Sequence, residues 1–172
     1  MAGSTPLSFD PIEEARRQWI LHGWDEAAEG LALMTSVMRV QQIYLARIDS
    51  VLRPHDLTLA RFEILSVLNF SRNGSMPMNK ISIRLQVHPT SITSATDKLE
   101  SQGLVRRLPH ESDRRAILVT ILPAGKRILR KVTLKLNKEV FSDPGLAPSD
   151  VGKLFELLRK LRLGEGDFQT SA

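Results

Sequence analysis

The chain contains no cysteine, which excludes disulfides, thiolate metal sites and a cysteine nucleophile. It has no apolar run of the roughly eighteen residues that a membrane-spanning helix needs. Its first residues carry Asp10, Glu13 and Glu14 and lack the basic-then-apolar order of a secretory signal. The expectation is therefore a cytoplasmic protein with no membrane contact. There is no glycine-rich phosphate loop, no Gly-x-Ser-x-Gly elbow and no recognisable pair of catalytic carboxylates. His22, His55, His88 and His110 are scattered, without the i, i+4 spacing of helical metal ligands. No catalytic residue, metal ligand or cofactor is expected, and an enzyme is disfavoured. Aromatic residues make up only 5% of the chain, which makes Trp19 and Trp24, close together near the N-terminus, conspicuous.

The net charge of +5 is unevenly spread. Residues 1–30 carry two basic and six acidic side chains, whereas residues 104–131 carry eight basic and two acidic ones. A short, strongly basic segment is either a solvated surface or the footprint of a protein that touches phosphates. What flanks it decides between these.

Apolar spacing predicts a mainly helical chain. Pro11 opens a short helix reaching about Trp24, with Glu13 and Glu14 near the positive end of its dipole. A long helix follows from about Ala27 to Leu52 and ends at Arg53-Pro54, because the residue before proline avoids the helical region. Thr58 caps the next helix, which carries Phe62, Leu65, Leu68 and Phe70. Asn73-Gly74 marks a turn in the segment 71–77. Asn79 is expected to cap a short helix ending near Gln86, with Ile81, Ile83 or Leu85 inward. His88-Pro89 opens a third helix, ended by Gly103. The period then changes to that of strands over 104–108 and 116–121, joined by a charged loop, Pro109 to Arg115. A long helix from Pro123, a break at 142–149, an amphipathic helix with Val151, Leu154, Phe155, Leu158 and Leu161, and a loose tail after Gly164 complete the reading.

Short helices followed by a two-stranded hairpin describe a winged helix-turn-helix, whose second motif helix enters the major groove. In the segment 89–101, Ile92, Ala95 and Leu99 share one face, and Thr90, Ser91, Ser94 and Lys98 lie opposite, with Thr93 at the flank. Hydroxyls and a lysine can bond phosphates and base edges, and threonine methyls can touch thymine. Behind this helix the hairpin carries Arg106 and Arg107 at its base and His110, Arg114 and Arg115 at its tip. An arginine-tipped wing suits the narrow, electronegative minor groove. A winged helix that binds protein instead of DNA is the alternative, but it would not need so basic a wing.

The run from Leu57 to about Leu129 resembles the MarR family of bacterial transcriptional regulators. The resemblance rests on Leu57-Thr58, the segments 89–93 and 97–105, Asp113-Arg114-Arg115 and Pro123-Ala124-Gly125, in that order over about seventy residues. It implies three parts: an N-terminal extension with dimerisation helices over 1–56, a winged helix-turn-helix over 57–122, and C-terminal dimerisation helices over 123–172. It implies a homodimer on a palindromic double-stranded DNA operator, with a small-molecule effector in a cleft. The DNA contacts are expected at Pro89, Thr90, Ser91, Thr93, Ser94 and Lys98, and on the wing at His110, Asp113, Arg114 and Arg115; of these, Thr93 and the Asp113-Arg114-Arg115 run match by family position. Arg115 matches the minor-groove arginine best, and Asp113 would orient it. Ser94 stands where many relatives carry arginine. Leu122 and Ala147 precede prolines where relatives often show Thr or Ser, which removes a side-chain cap worth about 1 kcal/mol.

For the effector the candidates are Trp19, Met38, Gln41 and Glu63. A urate-responsive subgroup uses a tryptophan on an added first helix, an acidic residue where Glu63 stands and an arginine in the recognition helix; no arginine lies between Pro89 and Gly103. Trp19 and Trp24 either wall an effector pocket or pack the added helix. Met34, Met38, Gln41 and Tyr44 either line a cleft or form plain core.

Overall fold

Local chemistry sets the helix starts. Asp10 accepts hydrogen bonds from the backbone N–H groups of Ile12 and Glu13 at 2.8 and 3.4 Å, and Pro11 occupies the first helical position. Helix α1 runs Pro11–Leu21, shorter than the spacing suggested, because Gly23 takes a left-handed conformation (φ 78°) just beyond its end. Helix α2 (Asp25–Leu52) is followed by a 3₁₀ turn, Arg53–His55. The computed structural model describes residues 6–109 and 117–169.

Helix α3 (Leu59–Phe70) starts on Thr58, whose hydroxyl accepts from Arg61 N–H. Strand β1 (Ser75–Pro77), helix α4 (Met78–Leu85) and helix α5 (Pro89–Ser101) follow. Strands β2 (Val105–Pro109) and β3 (Ile117–Ile121) lead to α6 (Pro123–Leu136), whose last turn widens into a π-helix, Asn137–Phe141. Helix α7 (Pro148–Gly164) is the last. The starts of α6 and α7, at Leu122 and Ala147, have no side-chain cap, as the residue types there implied.

The chain divides into two compact units, residues 1–50 and 51–172. The core of the second unit is built from Ile64, Leu65 and Leu68 of α3, Ile81 of α4, Ile92 and Leu99 of α5, Val105, Val119 and Ile121 of the sheet, and Leu129, Val132 and Leu136 of α6. Each of these side chains is at most 5% exposed. Burial of this kind stabilises by roughly 1.5–3 kcal/mol per large side chain.

The wing is a three-stranded antiparallel sheet in the order β1-β3-β2, not the two-stranded hairpin that the sequence suggested. Strand β1 pairs with β3 in the register Ser75 to Thr120, and the two hydroxyls lie 2.8 Å apart. Three residues are too few to show a period, and the neighbouring Asn73-Gly74 reads only as a turn. Pairing with β3 is what makes this segment a strand.

Three other details correct the sequence reading and one extends it. Pro77, not Asn79, occupies the start of α4, and Asn79 lies in its first turn, accepting from Lys80 N–H. Of the three inward candidates on α4, Ile81 is buried, Leu85 is half-buried and Ile83 is 72% exposed. Arg107 lies at the hairpin base as expected, and α5 holds its guanidinium. The tail after Gly164 turns back: Asp167 accepts from Gln86 Nε2 at 2.9 Å and pairs with Arg162 at 2.7 Å, and Phe168 lies under Arg159 and Arg162.

Candidate nucleic-acid interface

Helix α5 is anchored from within by Ile92, Thr96 and Leu99, which are all buried. This anchoring leaves Pro89, Thr90, Ser91, Thr93, Ser94, Asp97 and Lys98 exposed on the opposite side. At its start the His88 ring accepts from Thr90 N–H at 3.3 Å, so His88 caps the helix. At its end Gly103 is left-handed, and the N–H groups of Gly103 and Leu104 donate to the carbonyls of Glu100 and Leu99 at 2.9 Å each. This paired closure terminates α5 sharply and turns the chain into β2.

The hydroxyl-rich face borders a shallow cleft of about 660 Å³, lined by Thr58 and Arg61 of the α3 start and by Thr90, Ser91, Ser94, Ala95 and Lys98 of α5. Two cations and four hydroxyls around an open cleft are the donors that an anionic backbone requires. The Thr93 hydroxyl donates back to Pro89 O at 3.1 Å. Arg61 was not among the expected DNA contacts; its place in the cleft follows from the packing of α3 against α5 and leaves no mark on the local sequence.

Asp56 sits beside this cleft in a left-handed conformation (φ 50°, ψ 40°), which Asp tolerates better than most residues. Its carboxylate accepts from Gln102 Nε2 at 2.7 Å and lies 3.6 Å from Lys98 Nζ and 3.7 Å from Arg61 Nη1. Its carbonyl accepts from Arg61 Nη1 at 2.8 Å and from Gln102 at 3.0 Å. The Gln102 hydrogen bond, and then the Lys98 charge, hold the Asp56 carboxyl below the ordinary aspartate range.

Arg107 of β2 ties the wing to α5. Its guanidinium pairs with Asp97 and donates to Thr93 O at 3.2 Å, and its backbone N–H donates to Glu100 at 2.8 Å. The wing residues His110, Asp113, Arg114 and Arg115 lie outside the described residues.

The expected effector residues divide between the two units. In the first, Trp19 is half-buried and meets Trp24 edge-on, with ring centroids 5.1 Å apart. Met38 lines a cleft of about 740 Å³ together with Leu7, Phe9, Ile12, Thr35, Arg39 and Gln42; Trp19 and Gln41 do not line it. In the second, Glu63 is half-buried with no partner among the described residues, and this desolvation raises its carboxyl above the usual glutamate range. Among the described residues no group of three His, Asp or Glu side chains could hold a metal ion, and no helix is long and apolar enough to cross a membrane.

Comparison with known proteins places this architecture. The MarR family signature matches residues 57–117. The structure of Sco5413, a MarR family transcriptional regulator from Streptomyces coelicolor, is 39% identical and covers 83% of this chain and 99% of that one, with a TM-score of 0.75. A MarR variant from E. coli, solved in complex with operator DNA, is 25% identical over 80% of this chain and 98% of that one, with a TM-score of 0.71. Among curated sequences, the HTH-type transcriptional regulator YhbI of Bacillus subtilis is 28% identical over 53% of this chain, a match that spans 58% of that protein. The chain belongs to the MarR family of transcriptional regulators.

Proposed function

We propose that the protein is a sequence-specific transcriptional regulator that binds a palindromic double-stranded DNA operator as a homodimer and answers to a small-molecule effector. The observation that carries the reading is the exposed hydroxyl face of α5, held outward by buried Ile92, Thr96 and Leu99 and bordered by Lys98 and Arg61. In this reading Pro89, Thr90, Ser91, Thr93, Ser94 and Lys98 meet the major groove and its phosphates. His110, Asp113, Arg114 and Arg115 form the wing contact. Repression by occupancy of half-sites about one helical turn apart is the simplest output.

The dimer accounts for apolar surface that one chain leaves open. On α2, Leu33, Met34, Val37 and Met38 are 44–66% exposed, and on α7, Phe155, Leu157 and Leu161 are 53–62% exposed. Neither α1 nor α7 contains a buried residue. Contiguous apolar helix faces of this kind call for a partner. Trp19, Met38, Gln41 and Glu63 are assigned to the effector response. The protein works in the cytoplasm, on the nucleoid, without catalysis.

Fluorescence anisotropy on the gene's own upstream duplex and on a random duplex, across a salt series, tests the DNA reading. Affinity should fall steeply as salt rises. Arg115→Ala should weaken binding while leaving the dimer intact. Undetectable binding to both duplexes at low salt overturns the reading and favours a protein-binding wing. A stable monomer at micromolar concentration in sedimentation overturns the dimer.

A further inference from the structure

Lys98 and Arg61 face the cleft from which α5 would meet DNA, yet both already have an anion beside them. That anion is Asp56, whose carboxylate is 3.6 Å from Lys98 Nζ and 3.7 Å from Arg61 Nη1. The Asp56 and Lys98 side chains are 66% and 53% exposed, so the pair is open to exchange, whereas Arg61 is 12% exposed and fixed by its bond to Asp56 O. Gln102, the residue just beyond the end of α5, holds the carboxylate in place.

An exposed ion pair of this geometry is weak and gives way when a phosphate offers a stronger field. Each cation that neutralises a phosphate releases counterions, and this release supplies nearly all of sequence-independent DNA binding. A carboxylate placed beside those cations therefore subtracts from that part of the affinity. Building on the DNA-binding reading above, we propose that Asp56 is an internal competitor with backbone phosphate for Lys98, and that it holds down the sequence-independent part of DNA binding. Asp56 acts through Lys98 and need not touch DNA itself.

Asp56→Asn isolates the charge. Asparagine tolerates the left-handed backbone and still offers Gln102 an acceptor oxygen, so the fold and the α5 tie are retained. On a random duplex this variant should bind about three- to tenfold more tightly than wild type at low salt. The slope of log K against log salt should steepen by about one. Adding Lys98→Ala to Asp56→Asn should remove the larger part of that gain, and melting temperatures should stay matched. An Asp56→Asn protein with the affinity and slope of wild type overturns the proposal, as does one that binds less tightly while melting normally. A loss of melting temperature would make Asp56 a purely structural anchor and overturn it as well. Wild-type protein that binds no duplex at low salt would remove the DNA reading itself, an outcome distinct from a binding wild type with an indistinguishable variant.

Discussion

Arg107, on the first strand of the wing hairpin, pairs with Asp97 of α5 and at the same time donates to the carbonyl of Thr93, one turn earlier on that helix. Its side chain is 22% exposed, and Glu100 accepts from its backbone N–H. One guanidinium thus fixes the angle between the helix proposed for the major groove and the wing proposed for the minor groove.

Replacing Arg107 with Ala should weaken operator binding about tenfold through lost geometry, with the salt slope unchanged, because no phosphate contact is removed. A double-mutant cycle with Asp97→Asn should return a coupling of about 1 kcal/mol in stability. A salt slope reduced by about one would instead identify Arg107 as a phosphate contact.

The two faces of α5 should respond differently to truncation. Leu99→Ala removes a side chain with no solvent exposure and should cost about 2–5 kcal/mol of stability. Thr93→Ala, on the exposed side, should leave stability within about 0.5 kcal/mol and change the preference among operator variants. Chemical denaturation and binding to a panel of duplexes separate the effects; equal stability losses would contradict the assigned orientation of the helix.

Gly125, at the start of α6, allows a close approach of backbone to backbone. A Cβ there would lie 2.3 Å from Leu104 O and 2.9 Å from Ile121 Cγ1. Gly125→Ala should therefore destabilise by on the order of 2 kcal/mol and lower Tm by several degrees. An unchanged Tm would mean that α6 slides freely relative to the sheet.

Glu63 gives a pH dependence with a definite sign. Desolvation raises its carboxyl in the folded state above its unfolded value. Its contribution is thus fully present below the unfolded value and is lost as pH rises through the folded one, so the ionised side chain weakens the fold at neutral pH. Glu63→Gln should melt higher than wild type near pH 7 and show no advantage below about pH 4. A gain that persists in acid would point to packing, not charge.

The helices were legible in the sequence where apolar spacing was long and the boundaries carried a chemical signal. Asp10 and Thr58 begin their helices and Gly103 ends one through local hydrogen bonds that need no distant partner, and Pro89 opens α5 by its fixed φ. The hydroxyl face of α5 was readable for the same reason, since a helix repeats its faces within a few residues. Ile83 misled because an eight-residue helix offers too few turns to separate an inward from an outward apolar side chain.

What only the tertiary structure decided are the contacts between residues far apart along the chain. Strand β1 exists because β3, about forty residues later, supplies its hydrogen bonds. Asp56 reaches Gln102, Arg107 crosses to Asp97 and Thr93, and Asp167 folds back on Gln86, each across a turn or several whole elements. A charge count sees these groups as solvated and free. The fold spends several of them on one another, because packing brings a cation and a carboxylate within about 4 Å, where they attract, each such exposed pair being worth at most about 1 kcal/mol. The sequence by itself therefore determined the helices, the hydroxyl face and the two strands of the hairpin. The packing determined which of the basic side chains remain available to a phosphate.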